Sequence, residues 1–148
     1  MKRYLSLLIG SFALLAVGFQ SCSSDEGNYL PEDVKKEATA TNVAKKWTAV
    51  YFEFKEEGVK RSDREYYQKS LVEIELKKDG TFSSFDKYFE TSQSGNYVID
   101  TKKQTISLKY KDGSTHLFVI ESMQERLFVV KPFNHPIIST IELVPSIK

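Results

Sequence analysis

Apolar and polar residues alternate along most of this chain with the period of two that is typical of half-buried β-strands. The clearest example lies in residues 66–77, where the apolar residues Val72, Ile74 and Leu76 alternate with the charged residues Glu73, Glu75 and Lys77. Asp79-Gly80 follows directly, and Gly readily adopts the positive φ that a tight hairpin turn requires. The pattern predicts a strand with Glu73 and Glu75 in solvent, and then a hairpin.

Eight such segments follow one another, separated by turn signals: 47–55, 66–77, 81–88, 95–100, 105–110, 115–121, 127–131 and 137–144. Many short strands at this spacing indicate a sandwich or a barrel. The short connections favour pairing between sequence neighbours, and closure removes the exposed sheet edges that invite aggregation. We therefore predict an all-β fold, a small eight-stranded antiparallel meander barrel.

Three segments depart from simple alternation. The first strand is apolar on both faces, so it is either buried twice or kinked by a bulge. The charged residues 56–64, which contain Gly58, are predicted to form a long loop. Residues 32–46 form the one predicted helical segment, with one or two short turns before the barrel; Asp33 or Thr41-Asn42 would cap it.

The amino terminus has the pattern of an export signal. Lys2 and Arg3 precede an apolar stretch of about 15 residues, shorter than the roughly 20 that a membrane-crossing helix needs. The sequence Phe19-Gln20-Ser21-Cys22 resembles the lipobox of bacterial lipoproteins. Cys22 is the only cysteine, so no intrachain disulfide is possible. We predict a signal peptide over 1–21, a lipidated Cys22 with a tether over 22–40, and a barrel domain over 41–148.

Composition narrows the class of protein further. The formal net charge is +1, and both signs of charge are mixed along the chain, so no basic face for nucleic acid is expected. The 10 Phe and 8 Tyr suit a packed β core. No second long apolar run follows the first, so no transmembrane helix is predicted.

No group of residues has the spacing of an active site. Glu73 and Glu75 lie on one strand face, about 7 Å apart, but a catalytic pair needs burial that this face lacks. His116 is predicted to face solvent from a strand and His135 to lie in a loop, without Cys or Asp at metal-ligand spacing. We expect no metal, no cofactor and no enzymatic activity.

Several segments carry a resemblance to a known family. They are Trp47, the run from Ile74 to Phe82 with its Asp-Gly-Thr-Phe hairpin, the run from Gly95 to Ile99, and Ile106-Ser107-Leu108. Over about 44–144 the chain resembles the small lipocalin-like (calycin-like) domains of Gram-negative, bacteroidete-type envelope lipoproteins. Ala44-Lys45-Lys46-Trp47 lacks the Gly of the lipocalin Gly-x-Trp opening.

The resemblance implies a protein of the cell envelope, held on the outer membrane through Cys22. Its barrel would bind a small hydrophobic or amphipathic ligand. Aromatic residues are the ligand-contact candidates: Trp47, Tyr51, Phe82, Phe85 and Tyr97. In the alternative hypothesis the barrel is filled by its own side chains and docks on another envelope protein. A hollow interior would distinguish the first hypothesis, and an exposed apolar patch without a cavity would distinguish the second.

Overall fold

The computed structural model describes residues 35–147. Strands make up most of this part of the chain, and two short helices accompany them. The elements are α1 (Ala40–Val43), β1 (Lys46–Phe54), α2 (Arg61–Lys69), β2 (Val72–Leu76), β3 (Thr81–Asp86), β4 (Thr91–Asp100), β5 (Thr105–Tyr110), β6 (Thr115–Met123), β7 (Phe128–Pro132) and β8 (Ile138–Pro145). The predicted signal peptide, Cys22 and most of the predicted tether lie outside the described residues.

Every strand pairs antiparallel with its neighbours in sequence, and β8 pairs back with β1 to close the barrel. The predicted all-β, eight-stranded meander barrel is therefore confirmed, as is the short helical segment before it. That segment is the single turn α1. Its cap is Thr39, whose Oγ1 accepts a hydrogen bond from the backbone N–H of Asn42 at 3.3 Å, and not Thr41-Asn42, which lie within the helix; Asp33 is outside the described residues. The specific likeness to lipocalins stays a prediction.

A bulge explains why β1 is apolar on both faces. Ala49 pairs with Leu143 and Tyr51 with Glu142, so Val50 is an extra residue on β1. A residue inserted in this way reverses the faces of the strand beyond it. Before the bulge Trp47 and Ala49 are buried, whereas the bulged Val50 and Tyr51 after it are exposed.

One end of the barrel is closed by the segment that precedes β1. Trp47 and Val43 are both 0% exposed, and the indole N–H of Trp47 donates to the carbonyl of Val43 at 2.9 Å. The Trp47 ring packs on Phe128 with centroids 5.4 Å apart, and Lys45 Nζ lies 4.9 Å from its centroid. Together these contacts fill the barrel where the chain enters it, and we call this the closed end.

Gly95 on β4 has no room for a side chain. It pairs with Phe82 on one side and with Tyr110 on the other, and the two rings meet edge to face with centroids 5.1 Å apart. A Cβ on Gly95 would collide with the carbonyl oxygen of Lys109 and lie 2.9 Å from Phe82 Cε1. This close approach lets two aromatic side chains pack over the backbone of one strand.

The prediction for residues 56–77 was wrong in part. Residues 61–69 form α2, where a loop and the beginning of a strand were predicted, so β2 runs only from Val72 to Leu76. Arg61 and Glu65 form an ion pair at 2.8 Å across one helical turn, a spacing that supports helices. Tyr66 and Tyr67, which fell within the predicted strand, lie instead on this helix.

Glu73 is a second correction, because it is only 9% exposed although it points outward from β2. Lys46 Nζ and Lys87 Nζ each approach one of its carboxylate oxygens, at 2.6 and 2.7 Å. The hydrogen bonds from Lys46 and then Lys87 hold the pKa of Glu73 below its usual range, against the effect of burial. Both lysines come from elements beside β2, so the strand pattern alone did not reveal them.

We expect Gly95→Ala to lower the free energy of unfolding by about 3 kcal/mol, since the added methyl overpacks a rigid backbone contact. Asn96→Ala is the matched control, because that side chain is exposed on the same strand and its loss should change stability little. Urea unfolding followed by tryptophan fluorescence measures both variants. Equal stability of Gly95→Ala and Asn96→Ala would contradict the close packing at Gly95.

Candidate ligand cavity

The barrel encloses a cavity of about 490 Å³. It extends from the filled closed end to the opposite end, where α2 and the β3–β4, β5–β6 and β7–β8 connections lie; we call this the open end. Twelve aliphatic or aromatic side chains on the strands line it: Ala49, Phe52, Val72, Ile74, Leu76, Ile106, Leu108, Phe118, Phe128, Val130, Ile141 and Leu143. The deep part of the cavity is therefore apolar.

Polar lining residues are concentrated toward the open end. They are Ser84, Asp86, Thr91, Gln93, Tyr110 and His116 on β3 to β6, and Tyr66, Tyr67 and Ser70 on or after α2. Alternation places the inward positions of β3 and β4 in register, since Ser84 pairs with Gln93 and Asp86 with Thr91. The cavity thus has an apolar floor and a mouth that carries hydrogen-bonding groups.

α2 lies beside the mouth and is held there by aromatic contacts. The Tyr66 ring stacks on Phe89 of the β3–β4 connection with centroids 4.4 Å apart. The Tyr67 ring lies 5.8 Å from Phe52 and 6.3 Å from Phe54 on β1. None of the residues of α2 is buried, so these rings, rather than a buried apolar stripe, position the helix over the cavity.

His135 links the β7–β8 connection to α2. Its Nδ1 accepts hydrogen bonds from the backbone N–H groups of Ile137 and Ile138, at 3.2 and 2.9 Å. The proton of the neutral ring therefore sits on Nε2, which lies 3.4 Å from the Tyr67 hydroxyl. Burial lowers the pKa of His135, and the positive charge of Lys55 and the nearby His116 lower it further.

Asp86 is the ionised group of the mouth. Ser70 Oγ donates to one carboxylate oxygen at 2.5 Å, and the backbone N–H groups of Leu71, Tyr88 and Phe89 donate to the other. Burial alone would raise the pKa of Asp86, but these hydrogen bonds outweigh it and lower the pKa below its usual value. The carboxylate ties α2, the chain before β2 and the β3–β4 connection together.

None of the five aromatic residues predicted as ligand contacts is among those that line the cavity. Trp47, Phe82 and Tyr97 are buried in the core, and the Tyr97 hydroxyl donates to the carbonyl of Lys77 at 2.6 Å near the closed end. Tyr51 is 52% exposed because the bulge at Val50 turns it outward. Phe85 is 40% exposed because it lies three positions after the inward Phe82, and an odd offset along a strand places it on the opposite face. A ligand-contact role for any of them stays a prediction.

The residues that do line the mouth carried only weak signals in the sequence. Tyr66 and Tyr67 were assigned to a strand, and the helix that places them was not predicted. His116 lies on β6 and is exposed, as expected, but it also lines the mouth of the cavity. Tyr110 and Phe118 follow the alternation of β5 and β6, so the period of two could have identified them as inward-facing.

A second concavity of about 750 Å³ lies mainly on the outside of the barrel, where Phe85, Glu73 and Glu75 contribute to its lining. It shares Ser84, Gln93 and Tyr110 with the inner cavity. Most of its remaining lining residues are serines or charged residues. Small-molecule sites are mostly apolar and bury their ligand, so the smaller inner cavity is the better candidate. Within residues 35–147 no three His, Cys, Asp or Glu side chains come together as a metal site, and neither helix there has the length and apolarity to cross a membrane.

Comparison with protein-family models found no match for the chain, and comparison with curated proteins found none. Among solved structures, a protein from Bacteroides uniformis determined by NMR is similar to it, with a TM-score of 0.50 and 14% sequence identity. The similarity covers 74% of this chain and 94% of that protein. At this identity the likeness concerns the fold alone.

We expect the free energy of unfolding to fall as the pH is lowered from 7 to 5, in part through His135. Because its folded pKa is lowered, the stabilisation by the neutral ring is complete above the unfolded pKa of about 6.5. It is lost as the pH falls through the folded pKa. Protonation would place a hydrogen on Nδ1, which now accepts hydrogen bonds from two backbone N–H groups. Both hydrogen bonds would then be lost.

His135→Asn provides the comparison, since an amide oxygen accepts the same backbone hydrogen bonds and does not titrate. Urea unfolding at a series of pH values should give a shallower slope for this variant than for the wild type. Identical slopes would mean that His135 does not contribute to the pH dependence.

Proposed function

We propose that this protein binds a small hydrophobic or amphipathic ligand inside its barrel. The observation that carries the proposal is the inner cavity of about 490 Å³ with an apolar floor. Ligand sites in proteins commonly measure about 300–1,000 Å³ and combine apolar walls with a few polar groups. An apolar ligand placed against these walls would gain roughly 25 cal/mol for each Å² removed from water.

The alternative, a filled barrel that docks on another envelope protein, has one observation in its favour. Three large side chains at the open end are about half exposed: Tyr66, Leu71 and Tyr88. Exposed aromatic groups are common at protein interfaces. A filled barrel, however, would have no such inner cavity. The cavity therefore favours ligand binding as the main function.

We also propose that the protein is attached to the cell envelope, on the outer membrane, through a lipidated Cys22. The support is in the sequence: a basic start, a short apolar stretch, and the Ser21-Cys22 junction. Two or more acyl chains give stable membrane attachment. Attachment would concentrate the barrel near apolar molecules of the envelope and near any protein partner in the same membrane.

The cavity proposal is tested by filling it. N-phenyl-1-naphthylamine is an uncharged apolar probe whose fluorescence rises in a dry site, and we expect it to bind the purified protein. Ile74→Trp and Ile141→Trp, which each enlarge a lining residue, should weaken probe binding about tenfold or more, since overpacking a bound state costs about 1–3 kcal/mol.

Tyr51→Trp is the matched control, because Tyr51 is an aromatic residue on the outer surface of β1. It should bind the probe as the wild type does. Thermal unfolding confirms that each variant is folded. Loss of binding in Tyr51→Trp with retention in the two cavity variants would overturn the cavity proposal and support the aromatic residues predicted from the sequence.

Attachment is tested separately with Cys22→Ser. We expect the wild-type protein to sediment with membranes and the variant to be released from them, because a serine hydroxyl cannot take the thioether link of a lipoprotein. Fractionation followed by immunoblotting measures both. A variant that still sediments with membranes after washing with high salt would contradict lipid anchoring.

A further inference from the structure

The polar residues that the strands contribute to the cavity lie on one wall. Ser84, Gln93, Tyr110 and His116 come from the four consecutive strands β3 to β6 and face inward; we call them the polar wall. Ser84 pairs directly with Gln93, and the rings of Tyr110 and His116 have centroids 5.0 Å apart. The strands on the other side, β7, β8, β1 and β2, contribute only apolar lining residues. Polar and apolar lining residues are therefore separated around the barrel, between two sets of strands, as well as between the mouth and the floor.

The polar wall is available to a ligand. Among the described residues, none of its four side chains forms a hydrogen bond to another protein group, whereas the Tyr67 and Ser70 hydroxyls at the mouth have protein partners. Burial raises the pKa of Tyr110, and the charge of Asp112 raises it further, so its hydroxyl stays protonated at neutral pH. Between them, these groups can donate and accept hydrogen bonds.

No lysine or arginine is among the residues that line the cavity. Three cations near the open end are engaged elsewhere: Lys87 with Glu73, Arg61 with Glu65, and Arg64 over the ring of Phe54 at 5.4 Å. Three further lysines at this end, Lys55, Lys69 and Lys111, are not among the residues that line the cavity. Asp86 meanwhile places a negative charge at the mouth. A carboxylate or phosphate brought into the cavity would be repelled by Asp86 and would leave water without a Lys or Arg partner, which is costly.

A cationic head group is disfavoured for a different reason. Both oxygens of Asp86 already accept hydrogen bonds from protein donors, four in all. An ammonium group would gain some attraction from the charge but could not replace those donors without releasing α2 and the β3–β4 connection. It would lose hydration and find only neutral acceptors on the polar wall.

We propose that the cavity selects uncharged amphiphiles, molecules with an apolar body and a hydroxyl, carbonyl or amide group. The apolar body lies against β1, β2, β7 and β8, and the polar wall makes hydrogen bonds with the neutral group. This inference rests on the proposed binding function and specifies its ligand class. On this proposal fatty acids, phospholipids and alkylammonium compounds are poor ligands, because each has a charged head group.

The test compares decanol, decanoate and decylammonium at pH 7, which share a ten-carbon chain and differ in head group. Each displaces bound N-phenyl-1-naphthylamine from the purified wild-type protein. We expect decanol to bind about tenfold more tightly than either ion, a difference of about 1.4 kcal/mol. If decanoate or decylammonium binds as tightly as decanol, the selectivity is wrong although the binding function stands. If neither the probe nor any ligand binds, the binding function fails and the inference with it.

A second arm tests the polar wall itself. In Gln93→Leu and Tyr110→Phe we expect decanol to bind several-fold more weakly than it binds the wild type, because each variant removes one hydrogen-bonding group that would contact the head group. The affinity of each variant for the probe is measured first, so that displacement by decanol can be converted to a binding constant. Ser92→Ala is the matched control, since Ser92 neighbours Gln93 but pairs with the exposed Phe85 and is not among the residues that line the inner cavity. Unchanged decanol affinity in both wall variants would contradict recognition by the polar wall.

Discussion

Closure of the barrel is the constraint on which the rest of this structure depends. Once β8 pairs with β1, all inward side chains of eight strands must share one space, and their sizes decide where that space is filled. At the closed end Trp47 and its neighbours are buried. Small inward residues such as Ala49 and Ser84 are among those that line the cavity. The cavity therefore depends on which side chains the eight strands bring together inside the closed barrel, which single strand patterns do not display.

The same constraint explains how much the sequence could predict. A period of two along β2, β5 and β6 is a local property, so the strand order, the hairpins and the meander topology followed from it. The bulge at Val50 is set by pairing with β8, which lies almost 100 residues later in the chain, and it reversed the expected face of Tyr51. Glu73 was assigned to solvent for a related reason, since the two lysines that cover it come from other elements.

The helix α2 could not be predicted from the pattern of apolar and polar residues. Its residues are polar all round except for two tyrosines, and such a segment has no apolar stripe to indicate a helix. What positions it is tertiary: Tyr66 on Phe89, Tyr67 beside Phe52, and the carboxylate of Asp86 holding the chain that follows. The mouth is built from these contacts between segments that are distant in the sequence. For this reason most of the candidate site could not be predicted from the sequence, although the order of the strands could.

The path of the chain also relates the two proposed properties of the protein, attachment and binding. The described chain begins at the closed end, where the backbone N–H of Lys36 donates to the carbonyl of Met123 at 2.8 Å and Lys36 Nζ contacts Glu125 at 3.1 Å. A lipid on Cys22 would thus be joined to the barrel from the end opposite the mouth. The first described residues and the mouth therefore lie at opposite ends of the barrel. A ligand bound as proposed would exchange through a mouth whose polar groups suit contact with water, at the end of the barrel opposite the one through which the proposed anchor is connected.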